Sequence, residues 1–406
     1  MESEDEFLYT YFNHVSQLCY EKAKEHIEKE REPKVTTSPW SLFLNILQQL
    51  ALAEKSYIEI GFLQNKHKSF LRKDNSLRSV YESMKNDLKK LEDNCKQTIA
   101  DKRIQKGSKN IIEFMNARIN LIDLYEKIHN ISLNKQLICY NEIVHQVESV
   151  IEKNSGGFTD ISMTPAKAVF SLECEILDQL FKALTELQRL QFLPSLALIH
   201  GAHTRLAAWE NKIQSRETWK LGNMFKGNPL PALFQWLQQL KGAVLSKFSL
   251  YFYHTLAHQT TPNEMRNLCS KLHHDHFQKI LAFQRRYDVS SVILLSDTQV
   301  SSDTTNNRFP VIVAFPSRNP PQLDTILKMI SETNNELMNV EKIIYKFSSQ
   351  EQFTYVLTTV EPNIYLVILF ESKKSEKDTF ISNFVVELCQ NMRCTKIFSS
   401  LKSMTK

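Results

Sequence analysis

Across roughly the first 262 positions, apolar residues recur every three or four places, the spacing that lays one face of an α-helix on a core. Phe7, Leu8, Tyr11, Phe12, Val15, Leu18 and Cys19 keep that period as one helix, which dissolves into Glu28-Lys29-Glu30-Arg31-Glu32 ahead of Pro33. Ser38-Pro39 reads as an N-cap with proline at the first helical position. It opens a long helix with Trp40, Phe43, Leu44, Leu47, Leu50 and Ala51 on one face. A polar loop is expected around 66–73, then a helix carrying Leu77, Val80, Tyr81, Met84, Leu88 and Leu91. The next runs from about Lys109 to His129, with Ile111, Phe114, Met115, Ile119, Ile122 and Tyr125 inward. A shorter one from about Lys135 reaches Gly156-Gly157, where glycine is expected to relieve a left-handed C-cap. Thr164-Pro165 restarts helix with Val169, Leu172, Ile176, Leu177, Leu180 and Leu184. Pro194 marks the expected break before a helix bearing Leu196, Ile199, His203 and Leu206. Two glycines and two prolines make 221–231 a loop. A helix of about 27 residues that carries the apolar positions Leu233 to Leu256 follows and is apolar around much of its circumference, as a central bundle helix would be.

After Thr260-Thr261-Pro262 the period changes. Two helices, the second from about His274 to Tyr287, lead into strand-like runs at 291–296, 309–315, 342–348, 353–360 and 364–370, with a helix at 323–337 and a last helix bearing Phe380, Ile381, Phe384, Val385 and Leu388. The fifth run, Ile364-Tyr365-Leu366-Val367-Ile368-Leu369-Phe370, is apolar at every position, so both its faces must be covered. Runs three to five are joined too tightly for anything but a meander, and runs one and two pair as neighbours. Joining one to five gives the order 2-1-5-4-3 and places the fifth run at the centre; the other simple join leaves it at an edge. The chain therefore reads as a large N-terminal all-helical bundle followed by an α/β/α domain with a five-stranded antiparallel sheet. The element order of that domain resembles that of roadblock and longin domains, so the terminal domain is expected to be roadblock/longin-like. Expected units are 1–157, the first half of the bundle; 158–262, a second helical segment packing on it; and 263–406, the α+β domain.

Composition narrows the function more than the fold. A chain of 406 residues with 42% hydrophobic and 23% charged residues has the make-up of a soluble globular protein with ample core. Eight glycines leave no phosphate-cradling loop or dinucleotide fingerprint. Seven scattered cysteines without a Cys-x-x-Cys pair point to a reducing, intracellular setting, and the acidic Met1–Glu6 start is no signal peptide. His254 and His258, His200 and His203, and His273, His274 and His276 invite a metal hydrolase reading, but no carboxylate stands at ligand spacing. No nucleophile elbow is present, and sheet-borne aromatics of an RNA-binding pattern are missing. No catalytic, cofactor-binding or metal-binding residue is assigned, no cofactor is expected, and nucleic acid is not an expected partner.

Charge is uneven. Residues 199–286 carry 12 basic against 4 acidic residues, a net of +8, whereas 287–406 carry 12 against 13. Arg205, Lys212, Arg216, Lys220, Lys226, Lys241 and Lys247 therefore form a candidate surface for an acidic protein or an anionic membrane; its plain alternative is a solvated helix face. The charged connector 371–378 is a further exposed candidate.

Several stretches resemble a known family. Lys247-Phe248-Ser249-Leu250-Tyr251-Phe252-Tyr253, Gln259-Thr260-Thr261 and Phe370-Glu371-Ser372-Lys373-Lys374-Ser375-Glu376 are similar to segments of the KICSTOR complex subunit 2 family. So are Leu193-Pro194-Ser195-Leu196, Ala202-His203-Thr204 and Glu30-Arg31-Glu32. The resemblance implies a non-enzymatic scaffold, peripheral on the lysosomal membrane and otherwise cytoplasmic. Its implied partners are kaptin, the FG-GAP-repeat protein and the large seizure-threshold protein. Through them it would help recruit the GATOR complex that restrains the Rag GTPases, lowering TOR signalling on amino-acid or glucose deprivation. The alternative from the strand order alone is a stand-alone roadblock-like module that binds a small GTPase or dimerises.

Overall fold

The structure, a computed structural model, describes residues 4–31, 38–63, 76–94, 99–134, 136–214, 230–297, 311–317 and 322–403. The helical part comprises α1 (Glu4–Ser16), α2 (Tyr20–Lys29), α3 (Pro39–Ile58), α4 (Leu77–Asn94), α5 (Ile99–Ile131), α6 (Tyr140–Ser155), α7 (Thr164–Gln188), α8 (Phe192–Gln214), α9 (Ala232–Tyr251) and α10 (Tyr253–Gln259). The remainder comprises α11 (Pro262–Ser270), α12 (His276–Tyr287), β1 (Val289–Ser296), β2 (Val311–Phe315), α13 (Leu323–Glu332), α14 (Asn334–Leu337), β3 (Ile344–Ser348), β4 (Phe353–Glu361), β5 (Ile364–Phe370), α15 (Thr379–Met392) and α16 (Thr395–Ser403). The sheet is antiparallel in the order β2-β1-β5-β4-β3, as expected.

All seven residues of β5 are buried, and alternation explains how. Ile364, Leu366, Ile368 and Phe370, with Val292, Leu294 and Val356, join a core that runs on through the helices to Phe7. Tyr365, Val367 and Leu369, with Ile293, Leu295 and Leu357, form a second core under Ile326 and Ile330 of α13 and Leu337 of α14. Central among the helices is α7, which packs on α1, α6, α8 and α9. The last helix, α16, docks on α5 and α9, where Trp236 Nε1 donates to the Ile397 carbonyl at 2.8 Å.

Local signals at Ser38-Pro39 act as read: the Ser38 hydroxyl accepts from the Ser41 amide, and Pro39 is the first helical residue. Thr261 and Glu264 make a reciprocal capping box on α11. Three continuous helices read from the sequence are broken. Leu18 (φ 60°) separates α1 from α2, Phe252 ends α9 ahead of α10, and Thr333 divides α13 from α14. Cys394 (φ 58°) separates α15 from α16, and α16, beyond the helix bearing Phe380 to Leu388, is an element the sequence reading did not include. The break before α8 falls at Leu190 (φ 56°), not at Pro194, which sits in the first turn, where its missing N–H is harmless. Gly156 keeps a right-handed conformation (φ −86°), so the expected left-handed cap is absent. Lys167 Nζ instead donates to the carbonyls of Asn154, Ser155 and Gly157, satisfying the helix end from a neighbouring helix. The expected loops at 66–73 and most of 221–231 lie outside the described residues.

Double-sided burial sets an expectation for unfolding. Ile368→Ala, at the centre of β5, is expected to lower stability by about 2–5 kcal/mol, the range for truncating a buried aliphatic side chain. Val386→Ala, at an exposed position of α15, is expected to change it by no more than about 0.5 kcal/mol in the same urea titration.

Candidate functional site

The basic block separates into three parts. Arg205 and Lys212 are seven residues apart on α8 and share a stripe, and Arg205 is paired with Glu175 of α7. Lys241 is half-buried on α9. Lys247, also on α9, is not a surface residue: its side chain is 0% exposed and pairs with Glu361 of β4, itself 1% exposed. Arg216, Lys220 and Lys226 lie outside the described residues. Counting charge along the chain missed Lys247's acidic partner because that partner stands 114 residues away.

Around that pair the helices meet the sheet. Tyr251 of α9 donates to Glu361 Oε2 at 2.8 Å, and Gln188 of α7 reaches Oε1 at 3.5 Å. Burial, then the Glu361 charge, push the Tyr251 phenol well above its ordinary value, so it stays a neutral donor. Next to it Arg393, between α15 and α16, donates to the carbonyls of Val360 (2.6 Å), Thr359 and Val340 (3.3 Å), and its own carbonyl accepts from Tyr140 (2.9 Å).

A second buried network lies within the helices. Arg118 of α5 donates through Nε and NH2 to Glu54 of α3 (2.8–3.2 Å) and through NH1 to Glu173 of α7 (2.9 Å). Tyr81 donates to Glu54 at 2.7 Å; Tyr57 and Tyr125 donate to Glu173 at 2.6 and 2.9 Å. Burial raises the Glu173 carboxyl, opposed by Arg118 and the two hydroxyls. The guanidinium lies 4.2 Å from the Tyr57 ring centre, within cation–π range. Every group of this knot is buried, and it fastens four helices, α3, α4, α5 and α7, to one another.

Of the remaining chemistry-bearing groups, His273, His274 and His276 lie side by side ahead of and at the start of α12, with successive ring centres 4.4 and 5.9 Å apart. No cluster of His, Cys, Asp or Glu among the described residues is placed to hold a metal ion, and no described helix is long and apolar enough to cross a membrane. His200, His203 and His258 are exposed, and Phe248, Tyr251 and Phe252 are core.

Against this arrangement stand the comparisons. The KICSTOR complex C12orf66-like family profile matches residues 1–406. KICSTOR subunit 2 of Xenopus laevis is 33% identical over 435 aligned positions, covering 100% of this chain and 98% of the frog protein. KICSTOR subunit 2 of Danio rerio is 31% identical over 430 positions, covering 98% and 96%. The chain belongs to the KICSTOR subunit 2 family.

For this family member, much of the segment 247–253 turns out to serve packing: Lys247 and Tyr251 hold Glu361, and Phe248 packs on Phe192. Arg31 likewise bridges to Asn45 and Gln48 of α3. The 193–196 and 371–376 stretches, by contrast, carry exposed side chains.

Two outcomes follow from the buried charges. Lys247→Met strands the Glu361 carboxylate and is expected to destabilise by about 3–5 kcal/mol, whereas Lys247→Met with Glu361→Gln recovers much of that loss in a double-mutant cycle. His276, at the start of α12, is buried with neither ring nitrogen hydrogen-bonded. Burial, reinforced by His274, Lys279 and Lys247 against Glu387, holds its pKa down at about 3. Only the unfolded chain then takes a proton below the ordinary value near 6.5. Stability contributed by neutral His276 is therefore complete above that value and lost as pH falls, by about 1.4 kcal/mol at pH 5.5. Denaturant titrations at pH 7.5 and 5.5 should show this slope, and His276→Leu should flatten it.

Proposed function

We propose that this chain is a non-enzymatic scaffold subunit of the KICSTOR complex. In this reading it associates with kaptin, the FG-GAP-repeat protein and the large seizure-threshold protein at the lysosomal surface. It helps to bring in the GATOR complex, and so lowers TOR signalling through the Rag GTPases on amino-acid or glucose deprivation. The observation that carries the reading is the end-to-end match to relatives named as a complex subunit. The interior adds physical support, because its charged and phenolic groups are consumed in fastening helices to one another and to the sheet. Division into 1–157, 158–262 and 263–406 is retained as a proposal about folding units.

The alternative, an independent GTPase-binding or dimerising module at 263–406, has the sheet order in its favour. One shared core and the Lys247–Glu361 pair count against its independence, since separating the segment would expose one sheet face and a buried carboxylate.

Tagged full-length chain purified from amino-acid-starved cells is expected to bring down kaptin, the FG-GAP-repeat protein and the large subunit at 0.15 M salt. Recovery of none of the three would sink the scaffold reading. A strictly nucleotide-dependent G protein in their place would support the module.

A further inference from the structure

The stretch Leu193-Pro194-Ser195-Leu196 is left over by the fold. Leu193 is 71% and Leu196 40% exposed, while Phe192, Ile199, Ala202 and Leu206 of the same helix turn inward. This exposure belongs to a fixed helix. Phe192 lies against Phe248 and Phe252, with ring centres 5.4 and 5.1 Å apart, and the Ser195 hydroxyl donates to the Gln191 carbonyl. At 100° per residue, Leu193, Leu196, Ala197, His200, Thr204, Ala208 and Asn211 fall on one stripe, and all are exposed. Solvated helix faces ordinarily carry mixed charges. Here Arg205 is the one charged residue between 192 and 209, and Glu175 of the neighbouring helix holds it. The stripe is apolar at its N-terminal end, hydrogen-bonding towards its C-terminal end, and without net charge of its own.

We propose that this outer stripe of α8 docks an amphipathic helix from another subunit of the complex, with that helix's apolar side chains on Leu193, Leu196 and Ala197 and its polar side chains toward His200, Thr204 and Asn211. The proposal rests on the scaffold reading above. Size argues against a second copy as the occupant: a stripe about 27 Å long and about 10 Å wide offers some 300 Å², well below the roughly 800 Å² per partner of a stable interface. It fits one helix within a larger contact. Charge argues against lipid, because helices that lie on membranes carry lysine and arginine along their polar face.

The full chain is co-expressed with the other KICSTOR subunits as wild type, as Leu193→Glu/Leu196→Glu, and as Leu268→Glu, a matched change at another half-exposed leucine on α11. The double variant is expected to retain at least tenfold less of one partner subunit, with an unchanged melting temperature, while Leu268→Glu behaves as wild type. p-Benzoylphenylalanine at position 197, in a chain with both leucines intact, is expected to crosslink to that same subunit. Equal retention by wild type and the double variant overturns the proposal alone. So does a crosslink to a second copy of the chain, or to lipid in anionic vesicles. If even the wild type retains no subunit, the scaffold reading falls and takes the proposal with it.

Discussion

The ion pair between Lys247 and Glu361 is the constraint through which the two halves of the molecule are held in register. Both groups are removed from water, and such a pair is stable only where its other hydrogen-bonding capacity is met. Tyr251 and Gln188 meet it, so two helices are committed to one carboxylate at the end of one strand. The sheet is shaped to present that carboxylate. The ladder between β4 and β5 shifts register between Thr359 and Glu361, and a shift of this kind re-aims the side chain that follows it. Arg393 then ties the adjacent strand carbonyls to the helix pair at the C-terminus. Apolar burial supplies most of the attraction between sheet and helices, but it is non-directional. The charged contact selects one orientation among those that would bury similar area.

The Arg118 network does the same for α3, α4, α5 and α7. A guanidinium fork reads two carboxylates at once; Tyr57 and Tyr125 donate to the Glu173 oxygen the fork leaves free, and Tyr81 shares Glu54 Oε1 with the fork. In both places the chain uses charge to define geometry inside a core that is otherwise apolar. Lys247 is thereby withdrawn from the basic block that the sequence count places on the surface.

Most of the sheet was legible because short connections leave few topologies and because an apolar run of seven residues has one comfortable place in an antiparallel sheet. Helix existence was legible from periodicity. Several helix ends were not: Leu18, Leu190 and Cys394 take left-handed conformations that their residue types disfavour, and none of the described glycines does so. Tertiary packing imposes those turns, so no local signal announces them. The basic block failed for a related reason. Neutralisation of Lys247 by a strand residue far along the chain cannot be seen in a window of neighbouring charges. The exposed leucines of α8 were hidden too, because Leu193 and Leu196 belong to an apolar pattern whose other members do face inward.

With β5 enclosed and the strongest charges internal, partner recognition falls to what the exterior presents. The 371–378 connector follows β5 directly, yet two of its three lysines lie over aromatic rings. Lys373 lies 5.8 Å from Phe347 on the edge strand β3, and Lys374 lies 5.5 and 5.7 Å from Phe370 and Phe380. A charged side chain over an exposed edge residue is a familiar guard against strand-to-strand association. The connector thus shields the free edge instead of advertising it. The N-terminal half of α8 contrasts with it: Leu193 and Leu196 stand in water on a helix anchored from behind by Phe192. Two leucines in water add nothing to the fold's own stability, and a partner helix that dries them would supply the missing burial.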